Sequence, residues 1–160
     1  MQDALAIAWS ERTESALLKE PYEALILASI VEKETGVASE RAEIAGVFTR
    51  RLALGMRLQT DPTVIYGLGD EFDGNLTRRH LRDEENKFNT YRIAGLPPTP
   101  IALPGKDAIA ASINPKDGEA LYFVAKGDGS HAFSRTLSEH EENVRRYQLK
   151  RRKDYRSSPK

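Results

Sequence analysis

Apolar residues recur at helical spacing in one run near the start of the chain. The segment YEALILASIVEKET, residues 22–35, is rich in residues that suit a buried helix. At about 100° per residue, three apolar residues and one acid fall within a single narrow sector of that helix: Leu27, Ile30, Val31 and Glu34. Glu32 points roughly the opposite way, toward water. The pattern therefore predicts a buried helix with one carboxylate in its apolar stripe.

Glu34 is the residue on that stripe that points to chemistry. Burial disfavours the ionised form of a carboxyl group and raises its pKa. A carboxylic acid that is still protonated near neutral pH can donate a proton to a leaving oxygen. The same geometry fits an acid that caps a neighbouring helix or pairs with an arginine, since structural ion pairs also perturb pKa values. Glu34 is therefore a catalytic candidate, with a structural acid as the alternative.

The remaining pattern predicts an α+β fold that is mostly helical with one small sheet. Helices are expected over residues 3–18, 21–35, 39–54, 62–66, 77–82 and 105–113, and from Ser138 to about Tyr147. The expected N-caps are Ser39, Asp61 and Ser138, the last in a capping box with Glu141. Two β-favouring runs, residues 121–125 and 131–134, flank a glycine-rich turn and predict a β-hairpin.

The length of 160 residues fits one domain with a real core, or a domain of a longer protein. We expect an N-terminal helical segment over residues 1–20, a main domain over 21–148 and a basic tail over 149–160. Lys and Arg together number 24, as do Asp and Glu, yet the stretch RRYQLKRRKDYRSSPK at the end is strongly basic. Because no nucleic-acid motif accompanies it, the tail reads as a solvated surface and no nucleic-acid partner is predicted.

Several classes of site are excluded by what the sequence contains. The absence of cysteine rules out disulfides, thiolate zinc sites and a cysteine nucleophile. The three histidines, His80, His131 and His140, lack the paired spacing of zinc hydrolases. Neither a nucleophile elbow nor a phosphate-binding glycine loop is present. No cofactor is expected, and no apolar run approaches the roughly 20 residues of a membrane span.

The long polar connection after the third helix supplies side chains that suit a sugar polymer. Sugar hydroxyls need hydrogen bonds and ring faces stack on aromatics, so we predict substrate contacts from Gln59, Thr60, Asp61, Tyr66, Asn89, Thr90 and Tyr91, with His131 from the hairpin. Three alternatives stay open. Asp61 could cap a helix, residues 89–91 could form a rigid turn before a Gly-Leu-Pro-Pro segment, and His131 could pack across the strands or support Glu34.

One buried acid is enough for some glycosidic chemistry. Most glycosidases use two carboxylates, one to protonate the leaving oxygen and one to attack or to activate water. A single acid can suffice when the substrate carries its own nucleophile. Muramic acid does so through a hydroxyl that can close on the anomeric carbon. The acid then donates a proton first and accepts one afterwards.

Four stretches in order, LASIVEKETGVASER, RLALGMRLQTDPTVIYG, FNTYRIAGLPPTPIALPG and INPKDGEALYFVAKGDGSHAFS, closely resemble the endolytic murein transglycosylase family, also called YceG-like. The resemblance covers roughly residues 22–147. It implies a lysozyme-like transglycosylase core that cleaves the MurNAc-GlcNAc bond within peptidoglycan strands and leaves 1,6-anhydro-MurNAc ends. It also implies that the second glutamate of the Glu-Lys-Glu-Thr run, Glu34, is the catalytic residue.

The resemblance carries further expectations about the setting of this domain. Family members usually have a membrane helix and a LysM-like domain ahead of the catalytic region, and neither occurs in these residues. We therefore expect the catalytic domain alone, on the periplasmic side of the cytoplasmic membrane in the bacterial cell envelope, with membrane contact only through a segment outside this chain. Peptidoglycan strands are the expected partner, with cell-wall synthases as further candidates. A hydrolytic muramidase and a non-catalytic peptidoglycan-binding or scaffold module are the alternatives.

Overall fold

The computed structural model describes residues 1–12 and 17–149. In chain order the elements are α1 Gln2–Ser10, α2 Pro21–Glu34, α3 Arg41–Ala53, α4 Asp61–Leu68, α5 Arg78–Arg82, α6 Lys106–Ile113, β1 Tyr122–Ala125, β2 His131–Ser134 and α7 Leu137–Val144. A π-helical turn, Arg145–Leu149, continues α7, and short 3-10 turns precede α3 and follow α4. The predicted α+β class, mostly helical with a small antiparallel hairpin, is confirmed.

Helix α2 is the centre of the core. Its predicted stripe is buried, with Leu27, Ile30 and Val31 all fully inaccessible. It packs against α3 and α6, which contribute Phe48 and Ile109 to the same core cluster. Pro21 occupies the first turn as predicted, where its missing N–H leaves no donor unpaired. The fixed position of α2 places its last residue, Glu34, at the margin of the core.

The helix starts differ from the predicted caps in three places. A 3-10 turn leads into α3, so Ser39 is not its N-cap. Helix α4 begins at Asp61 itself, and neither Asp61 nor the preceding residue caps it through a side chain. At α7 the cap is Thr136, which accepts from the Glu139 N–H at 3.2 Å, and not the Ser138 box. Several polar residues compete at each start, and packing decides which one lies at the boundary.

The N-terminal helix is shorter than its pattern predicted. It ends at Ser10, and residues 13–16 of the predicted helix lie outside the described residues. Leu18 is buried in the core outside any helix. Glu20 must be extended because it precedes Pro21, and its φ of −134° and ψ of 150° show this.

The predicted basic tail lies outside the described residues from position 150 onward. Within the described part of the chain, no helix is long and apolar enough to cross a bilayer.

The hairpin forms one wall of a cleft. Phe123 of β1 pairs with Phe133 of β2, and Phe123 meets Phe48 of α3 edge to face with ring centroids 5.6 Å apart. The turn uses Gly127 and Gly129, whose φ values of 99° and 97° favour glycine. Helix α7 packs against both strands. The hairpin and α7 therefore face the end of α2 and the start of α4 across an open space.

Candidate active site

A cleft of about 820 Å³ lies between these two walls. This volume is within the range of roughly 300–1,000 Å³ that small-molecule sites occupy. Its lining includes six of the predicted site residues, Glu34, Gln59, Thr60, Asp61, Tyr91 and His131. It also includes residues that the sequence did not single out, among them Arg51, Tyr122, Leu137, His140 and Val144. The cleft therefore brings together polar, acidic, basic and aromatic groups suited to a sugar chain.

Glu34 ends α2 on the wall of this cleft, with its side chain half-buried. Burial raises the pKa of its carboxyl to about 7, and the nearby charge of Asp61 acts in the same direction. The Thr60 hydroxyl donates a hydrogen bond to Oε1 of Glu34. This bond lowers the pKa and so offsets part of the rise that burial causes. Within residues 1–12 and 17–149, no lysine or arginine forms an ion pair with Glu34. The arginine-paired alternative is therefore not what the geometry shows.

The surroundings of Glu32 and Glu34 differ, as the helical geometry predicts. The Glu32 carboxylate accepts a long hydrogen bond from the Gly105 N–H at 3.3 Å and does not line the cleft. It thus faces the start of α6, on another side of α2. The two acids of one short motif have different surroundings because the helix turns them to different faces.

Tyr91 and Asp61 form a polar pair on the same wall as Glu34. The Tyr91 hydroxyl donates to Asp61 Oδ1 at 2.6 Å. Burial, followed by the Asp61 charge, raises the pKa of Tyr91, so the phenol stays neutral and remains a donor. Asp61 is exposed and makes no capping bond, so its alternative as a side-chain N-cap is wrong. The side chains of both residues are available to a ligand in the cleft.

Gln59 has unusual backbone geometry at the edge of the cleft. Its φ of 51° makes it the single non-glycine residue with positive φ in the described part of the chain. Such conformations are uncommon for residues other than glycine and concentrate at functional positions. The backbone N–H of Gln59 donates to the Thr90 carbonyl at 3.2 Å, which holds this conformation in place. The exposed side chain lines the cleft, as predicted.

Asn89 and Thr90 lie behind the cleft wall. Asn89 is fully buried, and its amide donates to the carbonyls of His80, Leu81 and Asp83. Its side-chain oxygen accepts from the Tyr91 N–H at 3.0 Å. The buried Thr90 hydroxyl accepts from the Thr60 N–H at 2.9 Å. The rigid-turn alternative therefore describes both residues, and the predicted direct contact with substrate does not fit these positions.

Tyr66 and His131 also differ from the simplest prediction. Tyr66 is half exposed outside the cleft, and its ring packs on Phe88 at 4.9 Å. His131 does line the cleft, but its partner is Glu40 and not Glu34. Its backbone N–H donates to Glu40 Oε1 at 2.9 Å, and Nδ1 lies 2.8 Å from Oε2. His131 is thus held by a buried acid that precedes α3, while its ring meets Phe123 edge to face.

Three further residues that line the cleft were not predicted from the sequence. Arg51 is buried, and its guanidinium lies 5.0 Å from the Tyr122 ring. The His140 ring stacks on Tyr122 with centroids 5.0 Å apart. Burial, with a further contribution from Arg51, lowers the pKa of His140. The helical-face argument that selects Glu34 could have found Arg51, because Arg51 follows Ile44 and Phe48 at spacings that share one face of α3.

Metal ligands are not assembled at this cleft. Among the described residues, no three His, Asp or Glu side chains are grouped so that they could hold a metal ion. The charged and phenolic groups that line the cleft include the carboxyls of Glu34 and Asp61, the ammonium of Lys33, the guanidinium of Arg51 and the neutral phenol of Tyr91.

Comparisons with known proteins agree on one family. The model of the YceG-like family matches residues 1–146. The endolytic murein transglycosylase of Bacillus subtilis strain 168 is 38% identical over 126 residues, covering 79% of this chain and 34% of that protein. The protein of the same name from Streptococcus pneumoniae serotype 2 is 35% identical over 126 residues, covering 76% of this chain and 23% of that protein.

A solved structure agrees as well. The crystal structure of a yceG-like protein from Listeria monocytogenes superposes with a TM-score of 0.71 at 37% identity, covering 88% of this chain and 42% of that chain. This chain thus spans less than half the length of each of these three proteins. With its fold and most of its length matched, the chain belongs to the YceG-like family.

Proposed function

We propose that this chain is the catalytic domain of a peptidoglycan lytic transglycosylase that cleaves the MurNAc-GlcNAc bond within glycan strands. The observation that carries the proposal is Glu34, a half-buried carboxyl whose pKa is raised to about 7 on the wall of a sugar-sized cleft. The relatives from Bacillus and Streptococcus, which are named endolytic murein transglycosylases, support the same substrate class.

The proposed reaction needs a single acid. The protonated Glu34 carboxyl donates its proton to the glycosidic oxygen, and the bond from that oxygen to C1 of MurNAc breaks. The C6 hydroxyl oxygen of the same MurNAc forms a bond to C1, and its proton passes to the Glu34 carboxylate. The products are a 1,6-anhydro-MurNAc end and a free C4 hydroxyl on GlcNAc. The acid is restored, and water is not consumed.

The neighbours of Glu34 suit these two roles. Oε1 accepts the hydrogen bond from Thr60, and no described residue bonds Oε2. Oε2 is therefore the oxygen that can carry the proton toward the substrate. Tyr91 and Asp61 also line the cleft, and because the phenol proton is donated to Asp61 Oδ1, the pair offers its remaining oxygen lone pairs as acceptors to sugar hydroxyls.

A hydrolytic muramidase is the second candidate because a second carboxylate is present. Asp61 lines the same cleft, and its charge acts on the pKa of Glu34. In a hydrolase, Asp61 would attack C1 or activate water. The bond that Asp61 accepts from Tyr91 occupies one of its oxygens and favours a positioning role instead. A non-catalytic glycan-binding module is the third possibility, in which Glu34 would be structural.

Product analysis separates the three possibilities. Glycan strands are digested in water enriched in heavy oxygen, and the new ends are identified by mass spectrometry. A transglycosylase gives anhydro ends without label, a hydrolase gives labelled reducing ends, and a binding module gives neither. We expect anhydro ends from the parent chain, and a loss of about 100- to 10,000-fold in rate for Glu34→Gln.

Glu32→Gln is the matched control, because it removes an acid from the same helix outside the cleft. This variant should keep the activity of the parent. Cleavage that persists in Glu34→Gln would refute the assigned chemistry. Labelled reducing ends that disappear in Asp61→Asn would establish the hydrolase instead.

The proposal also locates the domain. Its substrate lies outside the cytoplasmic membrane, so we place the domain in the cell envelope, on the periplasmic side of that membrane. Membrane anchoring through another segment and contact with cell-wall synthases stay predictions from the family resemblance.

A further inference from the structure

Arg51 is a buried cation that lines the same cleft as Glu34. Only 6% of the surface of Arg51 is exposed. Its Nε donates to the Leu121 carbonyl at 2.7 Å, and its Nη1 donates to the Arg57 carbonyl at 2.9 Å and more weakly to that of Leu58 at 3.4 Å. These bonds tie α3 to the start of the hairpin. They leave the guanidinium in one fixed orientation.

The charge of Arg51 has no acidic partner within the part of the chain that the structure describes. None of the described carboxylates lies within 4.0 Å of its nitrogens. Backbone carbonyls and the face of Tyr122 offset the charge only in part, since they carry partial charges. A buried charge without a full counter-charge is costly, and a ligand of opposite charge would offset that cost.

One nitrogen of the guanidinium is available to that ligand. No described residue accepts a hydrogen bond from Nη2, and Nη2 is not among the buried polar atoms that lack a partner. Nη2 therefore keeps two N–H donors and some accessible surface, and Arg51 lines the cleft. A carboxylate is the acceptor that a guanidinium binds best.

Charged groups of both signs line the cleft. Glu34 and Lys33 belong to α2, Asp61 to α4 and Arg51 to α3. Tyr91 stands close enough to both groups for the charges of Asp61 and Arg51 to act on its phenol in opposite directions. Of the two basic side chains, Lys33 is exposed and Arg51 is buried, so a carboxylate bound to Arg51 is held at a fixed position in the cleft.

We propose that Arg51 binds, through Nη2, a carboxylate on the lactyl side of muramic acid. This contact determines which of the two glycosidic bonds in the polymer lies next to Glu34. This inference rests on the proposed function. MurNAc differs from GlcNAc by its lactyl group alone, so an enzyme that cleaves one bond type must recognise that group. The carboxylate comes either from the lactyl group of a bare glycan or from the stem peptide attached to it.

Binding to matched ligands tests the proposal in the Glu34→Gln background, where the ligand is not consumed. Four ligands of equal sugar length are compared by calorimetry: a bare MurNAc-GlcNAc tetrasaccharide, the same compound with its carboxyls converted to amides, a stem-peptide form, and a GlcNAc tetramer. We expect the bare acid to bind about tenfold or more tightly than its amide. The difference should shrink as salt rises. Tighter binding of the peptide form alone would identify the stem peptide as the source of the carboxylate.

Arg50 provides a matched control on the same helix. Its Nε donates to the Ala120 carbonyl at 2.8 Å and its Nη1 to that of Lys116 at 3.0 Å, yet it does not line the cleft. Each of the two substitutions, Arg51→Met and Arg50→Met, thus removes hydrogen bonds from a guanidinium to backbone carbonyls. Arg51→Met should bind the acid and its amide equally, whereas Arg50→Met should keep the difference.

Each result decides the question. Equal binding of the acid, its amide and the stem-peptide form by the Glu34→Gln chain, or equal weakening of all three by Arg51→Met, would overturn the proposal and make Arg51 purely structural. If circular dichroism shows that Arg51→Met does not fold, the proposal is tested by the binding of the ligands to the Glu34→Gln chain and by the salt dependence of that binding. A chain with intact Glu34 that discriminates acid from amide but releases no anhydro product would refute the proposed chemistry and leave the role of Arg51 standing.

Discussion

The Thr60 hydroxyl donates a hydrogen bond to the Glu34 carboxyl, joining the residue before α4 to the last residue of α2. Thr60 is itself held, because its backbone N–H donates to the Thr90 hydroxyl at 2.9 Å. The loop between α5 and α6 is therefore linked to the acid through two hydrogen bonds. The Thr60 hydroxyl opposes part of the rise in the pKa of Glu34 that burial causes.

Replacing Thr60 by Val tests this relationship. The hydroxyl stabilises the carboxylate, so its loss should raise the pKa of Glu34 further above about 7. The alkaline side of the pH-rate profile should then move to higher pH, and folding stability should fall by about 1 kcal/mol. The measurement is the initial rate of anhydro-end release across pH, with urea unfolding of the same samples.

Ser112→Ala is the control for Thr60→Val. It removes another buried hydroxyl, which donates to the Ala108 carbonyl at 2.8 Å within α6. It should reduce stability without moving the pH profile. A profile that stays in place in Thr60→Val would show that the hydroxyl does not influence the titration of Glu34.

The pH dependence of the parent chain follows from the same carboxyl. The first proposed step requires a protonated Glu34, whose pKa is about 7. Below that pH the acid form dominates; above it, kcat/KM should fall about tenfold per pH unit. Initial rates from about pH 5 to pH 9 on soluble glycan strands measure this. Activity that instead rises between about pH 4.5 and pH 7 would mean that the ionised carboxyl is required.

Glu34 should also make stability depend on pH. Its pKa is raised from 4.5 to about 7 by folding, so the native state holds more protons than the unfolded state between these values. Stability therefore falls as pH rises through this window. Glu34→Gln does not titrate, so it should be about as stable as the parent near pH 4.5 but more stable above pH 7.

The expected gain for Glu34→Gln above pH 7 is about 1–3 kcal/mol. Complete burial would give the upper value, and the half-buried side chain favours the lower part of the range. Urea unfolding at pH 4.5 and pH 8 measures both variants, with Glu32→Gln as the background for losing an acid from the same helix. Equal stability of Glu34→Gln and parent at pH 8 would contradict a raised pKa.

Asn89 should matter for stability more than for chemistry. Its side chain satisfies three carbonyls and the Tyr91 N–H in a fully buried position. Asn89→Ala leaves these groups unpaired and should cost about 2–4 kcal/mol in urea unfolding. Asn75→Ala, on an exposed loop, should change stability by less than about 0.5 kcal/mol. An Asn89→Ala chain of normal stability that had lost glycan affinity would return Asn89 to the substrate-binding set.

Periodicity alone located much of the fold and part of the site. It placed Glu34 beside a buried stripe because a helix turns every residue by a known angle. The same argument applied to α3 could have found Arg51, which was not predicted. Helix starts were less predictable, as Ser39, Asp61 and Ser138 show. Several neighbouring residues can satisfy the first N–H groups of a helix, and their energies differ little.

The sequence by itself determined the α+β class, the buried face of α2, the acid at its end, the hairpin and the family resemblance. Each depends on residues close together in the chain or on an ordered pattern. Only the tertiary structure decided that His131 pairs with Glu40, 91 residues away, that Asn89 points inward, and that Tyr91 reaches Asp61. These pairings depend on how the elements pack, because a backbone pattern specifies the face that a side chain occupies but not the distant atom that it meets.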